Sequence, residues 1–440
     1  KAMKNYGLWT IDYRLKIKKL RTTIYQLPTK ENCGLSTVDC GLEKTKNRIL
    51  LITITMKIKL IIILVASCQC FALMAQSSYD SLTIQLKKLA AQQRVNGFAV
   101  ALFDQDKILY IKGFGYADVA TKRPYKSQTV QPIASLSKTL LAATIMKAQE
   151  MGKLHLNHDI NQYLPFKVVN PYIPKQKITI EHLLSHTSGI LDNKYYVRSR
   201  VYSQPIPPIY KNIEDKTRRK RIKKFTREAN EGRKIPLVDF MKQMYHVDGK
   251  WYRKKHFKRV DLGYHFYYSD ANATLAGMIF EKATGMSYQA FAKKYILDPL
   301  KMTSTSWNLK NYQAEQKSTL YIEKYALPSY ESITFADRGL VSNVEDWSKF
   351  FQAALQGYQS KDNVLKTKSW KQLWFPVSYL QYALFWERYP NGYGYGAGGP
   401  GIQTFAFFSK DKPKGMIIFS NNSEYGDFSN DLLQALSKYF

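Results

Sequence analysis

The chain has 440 residues, 45% of them apolar and 14% aromatic, which is ample for a buried core, and it carries a formal net charge of +32. Its four cysteines, Cys33, Cys40, Cys68 and Cys70, all precede Ala75, so a chain processed there excludes disulfides, a thiol nucleophile and a cysteine-ligated metal site.

Residues 1–55 show no sustained apolar period and precede a candidate start at Met56; they are read as upstream translation rather than a domain. The run "MKIKLIIILVASCQCFALMAQ", 56–76, places Lys57 and Lys59 before an apolar stretch and a small-x-small end. That is the layout of an export signal over 56–75, cleaved after Ala75, and it predicts an exported protein of the periplasm or cell envelope. A competing reading takes Val65-Ala66-Ser67-Cys68 as a lipoprotein box with lipidated Cys68. A third is a membrane anchor, for which the run is at the short end.

From 79 to 92, Leu82, Leu86 and Leu89 recur at helical spacing. "GFAVALFDQDKILYIKGFGYAD", 97–118, gives two strand-like runs around Asp104-Gln105-Asp106, and "IQTFAFFSKDKPKGMIIFSNN", 402–422, repeats the pattern before a last helical run with Phe428, Leu432, Leu436 and Phe440. Strands at both ends with helical patterns between them predict an α/β protein of the α+β type, an antiparallel sheet built from both termini, flanked by helices and interrupted by a mainly helical subdomain. One domain is expected over 76–440, with its sheet part at about 76–130 and 320–440 and its helical part at about 131–320.

Between them lies "PIASLSKTLL", 132–141. From Leu136 to Met151 the sequence is apolar on nearly every side and ends at Gly152, the pattern of a buried helix. Ser135 then sits at the helix mouth, where unpaired backbone N–H groups and the positive dipole end favour a developing oxyanion. Lys138, three residues on, shares its face, and a partly desolvated lysine is a competent base. Ser135 is the candidate nucleophile, Lys138 its activator, and Ser137 faces elsewhere.

Between Leu191 and Val260, 21 Lys or Arg stand against seven Asp or Glu, including "KTRRKRIKK" and "RKKHFKR". Behind an export signal such runs point to an anionic membrane or cell-wall surface rather than nucleic acid, and the alternative is a solvated insertion. His182 and His186 stand four apart without the glutamate of a protease-like metal motif, so no metal is assigned. No nucleophile elbow, Walker loop or dinucleotide fingerprint occurs, and no cofactor is expected.

The segment "PIASLSKTLLAATIMKAQEMGKLHLNHDINQYLP", with "ITIEHLLSHTSGI" (178–190), "YYSDANATLAGMIFEKATG" (267–285) and "DRGLVSNVEDWSKFFQAAL" (337–355), resembles the serine hydrolases of the class C β-lactamase and D,D-peptidase (penicillin-binding protein) superfamily, which includes related esterases. The resemblance covers about 80 to 440. It implies an acyl-enzyme on Ser135 and, from the family's Tyr-x-Asn motif, a general base at Tyr268; the alternative takes Tyr268 as a core aromatic beside Tyr267 and Phe266.

The family's asparagine is replaced by Asp270, which would pair with Lys138 and disfavour phenolate on Tyr268; Asn272 could substitute if the loop shifts. In the third motif, "GYGYGAGGPGIQTF", Tyr395 stands where a cation is expected and Ala397 where glycine is, with the Gly398 N–H joining that of Ser135 as oxyanion hole. No Lys, Arg or His lies between Tyr389 and Phe408. The resemblance therefore implies an ester or amide substrate, small molecule or peptide, with esterase or D-amino-acid peptidase chemistry ahead of efficient β-lactam hydrolysis. The alternative is a non-catalytic relative that binds cell-wall or peptide ligands.

Overall fold

A computed structural model describes residues 50–57, 59, 79–375, 382–423 and 427–439. The chain divides into two units, 1–78 and 79–440. Of the first, only a helix over 50–57 and 59 is described, so the cleavage site after Ala75 and the Cys68 lipidation site lie outside the described residues. Among the described residues no helix is long and apolar enough to cross a membrane.

In the second unit, seven described strands form one antiparallel sheet: β1 (Gly97–Asp104), β2 (Ile108–Asp118), β3 (Arg123–Pro124), β4 (Glu387–Tyr389), β5 (Gly392–Gly399), β6 (Ile402–Ser409) and β7 (Lys414–Ser420). Their spatial order is β4-β5-β6-β7-β1-β2-β3. The two ends of the unit meet where β1 pairs with β7, from Phe98 opposite Ser420 to Asp104 opposite Lys414. This join makes β1 central, which is why its sequence is apolar at every position but the last rather than alternating. Its alternate side chains enter two cores: Ala99, Ala101 and Phe103 face the large helical core, whereas Phe98, Val100 and Leu102 pack under Leu82, Leu86, Phe428, Leu432 and Leu436 of the terminal helices. Close strand approach at β2 requires Gly97, where a Cβ would lie 2.3 Å from the Tyr116 carbonyl oxygen.

The predicted fold class and the hairpin around Asp104-Gln105-Asp106 match this architecture. The sheet's second half, however, begins at Glu387 and not near 320. Leu320–Ile322 and Tyr325–Leu327 form a separate ribbon, and helices Val344–Tyr358 and Thr367–Trp374 fill the interval, with Trp347, Phe350, Phe351, Trp370 and Trp374 buried in the large core. Their bulk holds the helical part against the sheet.

The basic segment is folded onto the body. Strand Arg200–Tyr202 pairs with Tyr330–Ser332, and helix Lys216–Ala229 turns Ile222 and Ala229 inward onto Ala134, Leu320 and Ile402 while Lys220, Arg221, Lys223 and Lys224 stay exposed. Ala134 immediately precedes the candidate nucleophile, so this helix abuts the site.

Candidate active site

The helix Ser137–Glu150 is buried on all sides over its first ten residues, as its largely apolar sequence requires, and ends before Gly152, whose φ of +68° stops it. A 3-10 turn, Ala134–Leu136, leads into it. Ala134 holds a φ of +51°, a strained left-handed conformation for a side-chain-bearing residue that the packing around it must enforce. Ser137 turns away, donating to the Ala134 carbonyl at 2.7 Å.

Lys138 Nζ, fully buried, donates to Ser135 Oγ at 2.9 Å, to Asp270 Oδ1 at 2.8 Å and to the Asp337 carbonyl at 3.0 Å. Tyr268 OH lies 2.9 Å from Ser135 Oγ and 3.1 Å from Asp270 Oδ1. Tyr268 is 41% exposed while its hydroxyl points inward to these partners. Asp270 opens the helix Asp270–Thr284, where the dipole favours its charge. The turn before it is fixed by Asp192, which accepts from Ser269 Oγ at 2.7 Å and the Ala271 N–H at 3.1 Å.

The ionic chain continues past the predicted residues. Arg338 Nη2 binds Asp270 Oδ2, and Arg338 Nε donates to Asp337 Oδ2 at 2.6 Å. Tyr196 OH also donates to Asp337, at 3.2 Å. Burial lowers the Lys138 amine to about 7, with Asp337 opposing and Arg338 reinforcing the shift. Burial raises the Asp337 carboxyl to about 7 against the pull of Lys138, and lowers Arg338 to about 10 with the help of Arg200. The Tyr268 phenol is raised, first by burial and then by Tyr382, so it stays protonated at neutral pH. Of the two groups on Ser135 Oγ, the amine is therefore the readier proton acceptor.

The opposite wall is β5. Gly399 faces Ala134 at a distance where a Cβ on it would make an ordinary 3.9 Å contact with that of Ala134, which places the strand carrying Gly398 beside the Ser135 turn. Tyr395, placed by sequence at the position of a substrate-binding cation, is 1% exposed and stands behind Tyr268: its OH donates to Tyr268 OH at 3.3 Å and receives the Tyr382 OH at 3.2 Å. It braces Tyr268 and offers no surface to a substrate.

Asn272 also departs from expectation. Two residues along a helix turn it roughly 200° from Asp270, and it is buried against Ser188 Oγ at 2.8 Å and His186 Nδ1 at 3.1 Å. His182 shares a capping box with Thr179, and His186 packs 4.6 Å from the Tyr268 ring.

Arg338, Asp337, Asp192 and Tyr382 escaped the sequence reading. The signal for the first two was the charged Asp-Arg pair that opens the block 337–355, directly before Gly339-Leu340-Val341. Glu387 escaped it as well. Reaching across from the edge strand, its Oε2 accepts the Gly396 N–H at 3.0 Å, and burial raises its carboxyl.

Comparison with known proteins follows the same lines. A family model described as Beta-lactamase matches residues 85–438. The chain is 26% identical over 389 residues to penicillin-binding protein 4* of Bacillus subtilis (strain 168), covering 82% of this chain and 76% of that protein. It is 27% identical over 365 residues to the mitochondrial serine β-lactamase-like protein LACTB of Homo sapiens, covering 73% of this chain and 65% of the relative. Among solved structures, an octameric penicillin-binding protein homologue from Pyrococcus abyssi superposes with a TM-score of 0.63 at 20% identity over 82% of this chain and 77% of that one. A β-lactamase/D-alanine carboxypeptidase from Pseudomonas syringae gives 0.61 at 18% identity over 82% and 99%.

Proposed function

The chain belongs to the β-lactamase family of serine hydrolases, and from that premise we propose that it acylates Ser135 with an ester or amide and releases the acyl group to water. The observation that carries this reading is the convergence of Lys138 Nζ and Tyr268 OH on Ser135 Oγ, each at 2.9 Å. A neutral Lys138 takes the serine proton as Oγ attacks the carbonyl carbon. The Ser135 and Gly398 N–H groups receive the oxyanion. Tyr268, protonated and touching the same oxygen, hands a proton to the departing alcohol or amine and is refilled from Lys138. Water then repeats the sequence on the acyl-enzyme.

Substrate preference follows from β5. With Tyr395 buried and Glu387 beside Gly396, that wall has no cation for a β-lactam carboxylate, which favours esters or D-amino-acid peptides over efficient antibiotic hydrolysis. The apolar run 56–75 supports export to the periplasm or cell envelope, by cleavage after Ala75 or lipidation at Cys68. The exposed cations of 216–227 support contact with an anionic membrane or wall polymer.

Intact-mass measurement after incubation with small esters, a fluorophosphonate and a penicillin tests the proposal. A covalent adduct that disappears in Ser135→Ala is expected. A second reading rests on the Lys138–Asp270 pair at 2.8 Å, which favours the ammonium and suits a binder without turnover. A folded protein that takes no adduct from any of the reagents would establish that reading instead.

A further inference from the structure

The basic helix Lys216–Ala229 does more than cover the Ser135 turn. With the end of β5 it encloses a cavity of about 490 Å3, walled by Gly399 and Pro400 on the strand side and by Ile222 and Phe225 on the helix side, with Arg218 and Arg221 at its border. Gly399 and Pro400 are half-buried and Gly398 beside them is exposed, so this wall is within reach of a substrate. The two arginines differ. Arg218 is held by Glu323, the acid among the lining residues. Arg221 is exposed and makes no hydrogen bond or ion pair with any described residue. It also borders a second depression, where Lys220, Lys223, Lys224 and Arg227 stand with no acid among the lining residues. The field at the cavity is therefore positive, and Arg221 is the cation free to use it.

Strand direction decides which part of a substrate arrives there. Tyr395 OH touches Tyr268 OH, and Tyr268 serves the departing group in the proposed reaction, so the Tyr395 end of β5 is the leaving-group end. Gly398 lies three residues on, about 10 Å along the strand, and Gly399 and Pro400 continue away from Tyr268. A substrate whose carbonyl oxygen rests at Gly398 then directs its acyl part toward the cavity. We propose that this cavity is the acyl subsite and that it selects acyl groups ending in a carboxylate on an apolar linker. The linker packs on Ile222 and Phe225, and the carboxylate takes the fork of Arg221. The inference rests on the hydrolase reading and adds its substrate class: the alcohol or amine leaves as Ser135 takes the acyl group, and water releases it as a dicarboxylic acid.

The test compares p-nitrophenyl hydrogen adipate with p-nitrophenyl methyl adipate on the full chain, two esters that differ in the charge at the far end of the acyl group. The acid is expected to be preferred by about fivefold in kcat/KM, chiefly through KM, the range of a partly exposed ion pair. In Arg221→Gln the ratio of the two esters falls to about one, and Arg221→Lys restores part of it. Lys224→Gln is the control for general attraction: Lys224 is exposed on the same helix but does not line the cavity, so its loss leaves the ratio near the parental one. No preference in the parent, or an equal fall in Lys224→Gln and Arg221→Gln, overturns the proposal. Should neither ester be turned over, the hydrolase reading fails separately, and the same ratio is then read as Kd by calorimetric titration of Ser135→Ala and of Ser135→Ala with Arg221→Gln, judged by the same criteria.

Discussion

On the helix side of the cleft, Lys138, Asp270, Arg338 and Asp337 form a continuous chain of ionic contacts that is largely shielded from bulk water. On the strand side, β5 presents Tyr395, Ala397 and five glycines, backed by the phenol of Tyr382 and the carboxyl of Glu387. In a low-dielectric site every charge on the first wall is set by its neighbours, so losing one redistributes protons among the rest. The second wall carries hydroxyls that orient Tyr268 and, through Tyr382, help keep its phenol protonated. The contrast assigns proton transfer to the helix wall and charge selectivity to the strand wall.

The most severe break is Lys138→Met, which keeps the stem and removes the base. We expect kcat for an activated ester to fall by about 10³-fold with KM little changed, and Tyr268→Phe to fall by about 10²-fold, the ordinary range for losing a positioned acid or base. The same wall sets the pH profile. Lys138 acts as base only when neutral, and it is lowered to about 7, so kcat/KM should rise as pH increases through neutrality. Asp337, raised to about 7, titrates in the same window, so the midpoint belongs to the cluster rather than to one group. A flat profile from about pH 5 to pH 8 would remove Lys138 from the chemistry.

A smaller effect sharpens the comparison from within the helix wall. Asp270→Asn removes the carboxylate that holds a proton on Lys138, and each unit by which the amine then drops is worth about 1.4 kcal/mol. Activity at mildly acidic pH should rise roughly three- to tenfold as the limb moves to lower pH, a change of about one unit or less. Arg338 keeps Asp337 but loses its other partner, so the Tm should fall modestly. An unchanged or lower rate, with the limb unmoved, would mean that Asp270 positions Tyr268 and does not restrain Lys138.

Much of this arrangement is legible in the sequence because it is written in local patterns. An all-apolar helix with Ser135 and Lys138 at its mouth, strands at both ends and a tyrosine before a helix start are each short-range signals, and the fold assembles them. The failures at the site are cases in which direction matters more than position. Asn272 has the right side chain, but the helix turn carries it to the His186 side. Tyr395 occupies the expected strand position, yet the bulk of Tyr382 and Tyr268 closes over it. Arg338 lies 68 residues from Asp270 in sequence, and nothing local announces that its guanidinium reaches that carboxylate. The sheet boundary expected near 320 lies later because the short ribbon there, strand-like in pattern, forms its own two-stranded pair and meets the segment after β7 through a single bridge from Tyr321 to Asn422.

The mildest change tests the strand wall alone. Glu387→Gln keeps an acceptor for the Gly396 N–H at the same place, so the backbone beside Gly398 is not released. What it removes is a carboxyl that burial holds toward its neutral form at moderate pH and that becomes anionic as pH rises. For a neutral ester, then, kcat/KM should stay within about twofold of the parent, whereas for an acyl donor bearing its own carboxylate KM should drop about threefold, as expected for relieving one partly screened like-charge contact of well under 1.4 kcal/mol. The gain should grow with pH, because the parental Glu387 repels only when ionised. Equal changes for neutral and anionic donors would show that Glu387 shapes the strand and has no part in selecting charge, and the division between the two walls would fail at the side where it is least protected by geometry.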